Sequence, residues 1–163
     1  MALRNILTEG NPTLNKVCRP VTSFDERLAT LIDDMKETVA HANGVGLAAP
    51  QVGILRRIVV VDLGEEIVEL VNPEIVEQSG EQDGLEGCLS VPNRFGMVVR
   101  PNYVKLRAQD RHGDWYSYEG EELIARCFCH ELEHLDGHLY TERAYRMLSD
   151  EEYEELVRQE EQK

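Results

Sequence analysis

The chain has 163 residues, 42% of them apolar and 29% charged, a balance that suits one folded domain with its own core and excludes a disordered or membrane-embedded polypeptide. Lysine and arginine number 17 against 31 acidic residues, a formal charge of −14, so phosphate backbones are repelled unless basic groups cluster, and DNA is not an expected partner. No stretch approaches the ~20 apolar residues of a membrane span, and the first residues lack a signal-peptide run or the Arg- and Ser-rich bias of a transit peptide, which points to the cytoplasm.

Ser23, three residues ahead of Glu26, forms a capping-box pattern, and Leu28, Leu31, Ile32, Met35 and Val39 follow at helical spacing up to a stop at Gly44. Residues 58–62 are a short β-branched run of the buried-strand type, and 69–73 and 74–77 read as further strands. Residues 104–108 alternate and, across a turn at 111–114, pair with 115–118 as a hairpin. A second helix begins after Gly120 and runs through Leu123, Ile124, Cys127, Phe128 and Leu132 to a glycine stop at Gly137. A third starts at Ser149, whose spacing to Glu152 repeats the capping box. This order predicts an α+β fold rather than alternating βαβ units. No repeat or linker divides the chain, so 1–163 reads as a single domain with an acidic C-terminal helix or tail over 150–163.

The strongest chemical signal is His130-Glu131-Leu132-Glu133-His134, inside the second predicted helix. Residues four apart rise about 6 Å along one helix face, so two imidazoles can converge on one ion, and Glu131 can take a proton from water bound to it. The plainer alternative is a solvated face with two histidines by chance, because such strings occur in unrelated helices. The third ligand decides. A metzincin's third histidine would fall on Tyr140, and His138 lies about 12 Å along a continuous helix from His130, too far to share an ion. A glutamate from a later helix, as in gluzincins, has many candidates in the tail and no distinctive motif, so that option stays open. Cys88, in Glu86-Gly87-Cys88-Leu89-Ser90, offers a thiolate that completes a Cys-His-His set with an open fourth position, against the commoner fate of a small buried hydrophobe. The four cysteines of a cytosolic chain are reduced thiols rather than disulfides.

Gly44-Val45-Gly46-Leu47-Ala48-Ala49 satisfies G-x-G-x-x-A, but a dinucleotide fingerprint needs a strand before it and a helix after it. Here a helix precedes, and Pro50 and Gly53 leave no room for a crossover helix. What remains is a tight backbone with small side chains that a substrate can approach closely at Gly44, Val45 and Gly46, followed by the amide of Gln51.

In this order the three segments resemble the signature motifs of peptide deformylases: G-x-G-x-A-A-x-Q at residues 44–51, E-G-C-x-S at 86–90 and H-E-x-D-H at 130–134, over residues 1 to about 148. The resemblance implies an α+β fold with mixed or antiparallel sheets around a central HExxH helix, followed by a C-terminal helix. It implies that Cys88, His130 and His134 bind the metal, that Glu131 is the general acid/base, and that Gln51 with the Leu89 backbone N–H polarises the formyl oxygen. Gly44, Val45, Gly46, Gly87, Leu123, Cys127 and Phe128 are the expected substrate-facing residues, the last three and Val45 around the methionine pocket. The expected metal is one Fe²⁺ per chain, replaceable by Zn²⁺, Ni²⁺ or Co²⁺, and the expected substrates are N-formylmethionyl peptides and nascent chains, with transient ribosome association. Two departures from the family pattern, Glu133 for Asp and Cys129 for Gln, bear on tuning of the site rather than on its ligands. The competing functions are an HExxH peptidase and a structural zinc domain, which would need a fourth protein ligand. Residues 150–163 carry seven acidic and two basic groups, and their expected role is a structural cap that packs Tyr153, Leu156 and Val157 on the domain without touching turnover.

Overall fold

The computed structural model describes residues 2–162; Met1 and Lys163, the last charge of the acidic tail, lie outside them. In chain order the elements are α1 (Glu26–His41), β1 (Gly46–Ala48), β2 (Ile58–Asp62), β3 (Ile67–Ser79), β4 (Gln82–Cys88), β5 (Val91–Arg100), β6 (Tyr103–Gln109), β7 (Trp115–Glu121), α2 (Leu123–Leu135), β8 (Arg146–Met147) and α3 (Asp150–Glu161). The named strands pair antiparallel in two sheets, β1-β2-β3-β6-β7 and β4-β5-β8, the expected α+β arrangement with its C-terminal helix.

Strand β2 explains why the large sheet is covered on both faces. Ile58 and Val60 pack with Leu31, Ile32, Met35 and Val39 of α1, while Val59 and Val61 pack with Ala125 and Phe128 of α2. Successive side chains of a strand point to opposite faces, so a continuous apolar run needs a helix on each side. Each such side chain contributes about 1.5–3 kcal/mol by leaving water. Helix α2 packs on β1, β2 and β7 and also reaches β5, which places it between the two sheets.

Several elements differ in detail from their sequence signals. The α1 N-cap is Asp25, whose carboxylate accepts from the Leu28 N–H at 3.0 Å, so Ser23 is not the cap. Beyond its C-terminus it is Asn43, at φ 55°, that takes the left-handed conformation expected near the Gly44 stop. The two strands expected at 69–77 are one strand, β3, bent where its register jumps from Val71↔Gln109 to Glu74↔Arg107. Asn72, at φ 51°, makes that bulge possible, and its amide exchanges hydrogen bonds with the Val21 backbone at 2.8 and 2.9 Å. Pro73 is tolerated because a bulge needs no ladder donor there. Strands β4 and β5, joined through Leu89 and Ser90, are not among the strands predicted from the sequence.

Helix α2 ends as expected. Gly137 has φ +83°, and a Cβ on it would lie 2.7 Å from the Asn15 backbone, so glycine is required by both conformation and space. The capping box of α3 is formed in both directions, Glu152 N–H to Ser149 Oγ at 3.1 Å and Ser149 N–H to Glu152 Oε1 at 3.2 Å.

One ion-pair network ties α1, β3 and the β6–β7 turn together. Glu69 accepts from Lys36 at 2.9 Å and from the Arg111 side chain at 2.9 Å, and Arg111 also holds Asp33 at 2.8 Å. Burial alone would raise the Glu69 pKa, but the Arg111 and Lys36 hydrogen bonds reverse this and lower it from 4.5 to about 2. A carboxylate with a depressed folded pKa contributes stability above pH 4.5 that is lost as pH falls toward 2. Glu69→Gln is therefore expected to lower unfolding free energy at neutral pH by about 2 kcal/mol. In urea titrations its deficit should shrink across that acid window; a deficit that stays constant with pH would show that the ionised form carries no advantage.

Candidate metal centre

Helix phase sets which side chains of α2 face the site. Cys127, His130, Glu131 and His134 lie at relative positions 0, 3, 4 and 7, one face of the helix. Phe128 is rotated about 100° from Cys127 and is fully buried in the core against the large sheet. Phe128 is therefore not brought to the cleft, a correction to the expectation that it lines the methionine pocket.

The third candidate ligand arrives from the other sheet. Cys88 closes β4 and pairs with Val91 across a tight connection, with Leu89 and Ser90 at the tip. Its Sγ lies 3.4 Å from His134 Nε2, and the candidate ligand atoms of Cys88, His130 and His134 all fall within 4.8 Å of one another. Among the described residues this is the one group of three or more His, Cys, Asp or Glu found with such convergence. The donor set fits a divalent ion that accepts thiolate and imidazole. Glu131 Oε1, buried without a hydrogen-bond partner, lies 3.8 Å from His134 Nε2, where a water on that ion would need an acceptor. Among the described residues no fourth protein ligand joins the three, which leaves a coordination position for water or substrate.

The ring nitrogens are oriented by what lies behind them. Glu86 accepts from His130 Nδ1 at 2.6 Å, which turns Nε2 of that ring toward the ligand cluster. The same carboxylate accepts from Arg100 at 2.9 Å through two nitrogens and from Arg126 at 2.6 Å. Arg100 also pairs with Glu133, which Arg143 holds from its other side. Glu133 thus anchors a guanidinium of this network. Tyr140, the residue standing where a metzincin ligand would, stacks near His130 at 5.7 Å between centroids and donates its hydroxyl to the Arg94 carbonyl at 3.1 Å. Glu86, Arg100, Arg126 and Tyr140 were not singled out as functional in the sequence. The one available signal was the position of Glu86 inside the E-G-C motif.

Burial disfavours the His130 imidazolium, but its contacts with Cys88 and Glu86 outweigh this and raise its pKa, holding a proton that an ion bound at Nε2 would displace. Burial and the charge on His130 push His134 the opposite way, so it stays a neutral donor. Burial is the main influence on Glu131 and raises its pKa above the ordinary carboxylate value.

Gln51 is buried, and its amide is held in one orientation. Its Oε1 accepts from the Ala48 N–H at 2.9 Å, and its Nε2 donates to Ser90 Oγ at 3.0 Å and approaches Cys88 Sγ at 3.6 Å. A cleft of about 480 Å³ opens beside these groups, lined by Cys88, His130 and Glu131 together with Leu89 and the expected Gly44, Val45, Gly46, Gly87, Leu123 and Cys127. A Cβ at Gly46 would lie 2.8 Å from the Glu131 side chain and 2.9 Å from Cys127 Sγ, so glycine there lets β1 press against the face of α2 that carries both. A larger cleft of about 700 Å³, lined by Arg4, Arg19, Arg27 and Arg56, sits at the other end of α1 and contains none of these ligands, so volume alone does not locate the site.

Comparison with known proteins identifies the family. The family model described as polypeptide deformylase matches residues 3–149. A peptide deformylase of Agathobacter rectalis is 61% identical over 155 residues, 95% of this chain and 98% of that protein, and one of Acetivibrio thermocellus is 52% identical over 94% and 91%. The crystal structure of a peptide deformylase from Legionella pneumophila superposes with a TM-score of 0.85 at 40% identity, covering 99% of both chains. That of Thermotoga maritima gives 0.86 at 42% identity over 88% of this chain and 99% of the other. The chain belongs to the peptide deformylase family, metal-dependent hydrolases that remove the formyl group from new polypeptides.

Proposed function

We propose that Cys88, His130 and His134 hold one divalent ion, Fe²⁺ in the native enzyme and replaceable by Zn²⁺, Ni²⁺ or Co²⁺, at which the formyl group of an N-formylmethionyl chain is hydrolysed. The observation that carries this reading is the convergence of the three ligand atoms within 4.8 Å beside an unpartnered Glu131 oxygen. When bound, the ion polarises the formyl carbonyl and acidifies water. Glu131 takes a proton from the attacking water at Oε1. Oxygen adds to the formyl carbon, and the negative charge gathers on the former carbonyl oxygen. The Gln51 amide, whose Oε1 is held by the Ala48 N–H, turns to that oxygen the Nε2–H that otherwise approaches Cys88 Sγ, and the Leu89 N–H donates to it as well, a contribution typically worth about 100-fold or more in rate for each donor. Glu131 then delivers its proton to the departing nitrogen, the C–N bond breaks, and formate and a free amine leave.

The cleft beside Val45, Leu123 and Cys127 is of the right character for the methionine side chain, being mostly apolar with few polar groups. Residues 1–163 act as one catalytic unit in this reading. A cytoplasmic location and brief contact with the ribosome follow from a substrate that is a nascent chain. Among the described residues no helix is long and apolar enough to cross a membrane.

Anaerobically prepared enzyme should release formate from a formyl-methionyl peptide, with metal content near one per chain. A chelator should abolish turnover and added ion should restore it. Iron-loaded enzyme should lose activity in air, whereas nickel-loaded enzyme should not. Metal-loaded protein that releases no formate, or that cleaves unformylated peptide bonds instead, would overturn the assignment in favour of an HExxH peptidase.

A further inference from the structure

The C-terminal segment grips the wall of the catalytic cleft at several points. The Leu148 N–H donates to the Phe95 carbonyl at 2.9 Å, and Gly96 and Met97 pair with β8. Helix α3 then lays Tyr153 flat on Phe95, with ring centroids 4.1 Å apart and planes 4° from parallel. On its inner side the Phe95 ring lies against Gly87, where an added Cβ would come within 2.7 Å of it. Leu85 is shared in the same way, since it lines the cleft and also the shallow groove formed with Tyr153, Leu156 and Val157. An ion pair between Arg146 and Glu152 fastens the start of the helix. The apolar stripe of α3 is thus the backing of Leu85 and Phe95, two of the apolar residues that the β4–β5 hairpin turns toward the cleft.

We propose that α3 supports the wall of the substrate cleft from outside, with Tyr153 as a positioning residue that pins the Phe95 ring against Gly87. Phe95 and Leu85 then present a fixed apolar wall to the chain downstream of formyl-methionine, and the enzyme favours peptides with an apolar side chain there. This rests on the cleft being the formyl-peptide site. Phe95 is half-buried, and without its stacking partner the ring samples several rotamers, so substrate binding must order it. That cost falls on binding of peptides long enough to reach the ring, and leaves the reacting groups untouched. The inference revises the expectation that the tail is only a cap. Helix α3 does carry a docking face, but the surface it docks on is the outer side of the cleft wall.

The test uses metal-loaded, full-length Tyr153→Ala and Tyr153→Phe with two substrates, formyl-Met-Leu-Phe and the shorter, apolar-poor formyl-Met-Gly. Tyr153→Ala should raise KM for the tripeptide about fivefold, with kcat within about twofold of the parent, and leave formyl-Met-Gly unchanged. Tyr153→Phe, which keeps the stack, should restore the parent KM. Unchanged KM for both substrates, or equal changes for both, would overturn the proposal. A parent enzyme that releases formate from neither peptide would instead overturn the assignment of the cleft on which the proposal depends.

Discussion

Glu131→Gln is expected to keep the metal and lose about a thousandfold in kcat, within the range that a positioned acid/base supplies. The substitution is isosteric, and space demands that: Glu131 is 2% exposed and pressed by Gly46, whose hypothetical Cβ would come within 2.8 Å of it. An amide fits that slot, but it can neither take the proton of the attacking water nor return one to the leaving nitrogen. Cys88, His130 and His134 are unaltered by the change, so metal content should stay at the parent value. Cys88→Ser separates the two effects, since a neutral hydroxyl is a far poorer ligand than a thiolate and the ion itself should be lost. Metal analysis and single-turnover formate release on the same samples distinguish these outcomes. Activity of Glu131→Gln within about tenfold of the parent would remove this carboxyl from proton transfer.

What the sequence made legible was local chemistry with a strict period. The two histidines four apart, the glycine that ends α2 and the Ser149–Glu152 box depend on neighbours within one or two helical turns, and each appears where its pattern predicts. Strand β2 was readable for the same reason, because four consecutive apolar residues from Ile58 to Val61 show its burial directly. Less legible were elements whose stability comes from distant partners. Strands β4 and β5 carry Gly84, Gly87, Pro92 and Gly96, residues that weaken a strand signal, and they are strands because they pair with each other and with β8. Strand β3 runs through Pro73 because Asn72 is held by Val21, 51 residues earlier. Within the site, Phe128 was misplaced through helix phase, since one residue along α2 is enough to turn a side chain from the cleft into the core. Glu86 carries no sign in the sequence of its bond to His130, 44 residues away.

That bond makes Glu86→Gln the most informative change outside the ligands. Glu86 is 6% exposed, Arg100 3% and Arg126 4%, so one carboxylate pairs with two buried guanidiniums while orienting a candidate ligand. Burial alone would raise its pKa, yet Arg100 and His130 hold it well below the ordinary carboxylate range, so it carries full charge at neutral pH. Glutamine keeps the shape but removes the charge, and its NH₂ turns a donor toward a ring of donors: Arg100, Arg126 and His130 Nδ1. Glu133 still holds Arg100 from the far side, whereas Arg126 keeps no carboxylate partner among the described residues. Breaking a buried pair by removing one partner costs about 3–5 kcal/mol, on the order of ten degrees in Tm for a chain of this length. The freed His130 ring should in addition weaken metal affinity about 10–100-fold, the usual effect of losing a partner behind a ligating imidazole. Thermal unfolding of the metal-free protein reads the first effect, and chelator competition on the loaded protein reads the second. A parental Tm in the metal-free variant would show that the arginine cluster is satisfied without Glu86. Parental metal affinity would show that His130 is aimed by the packing of α2 and the Tyr140 ring instead.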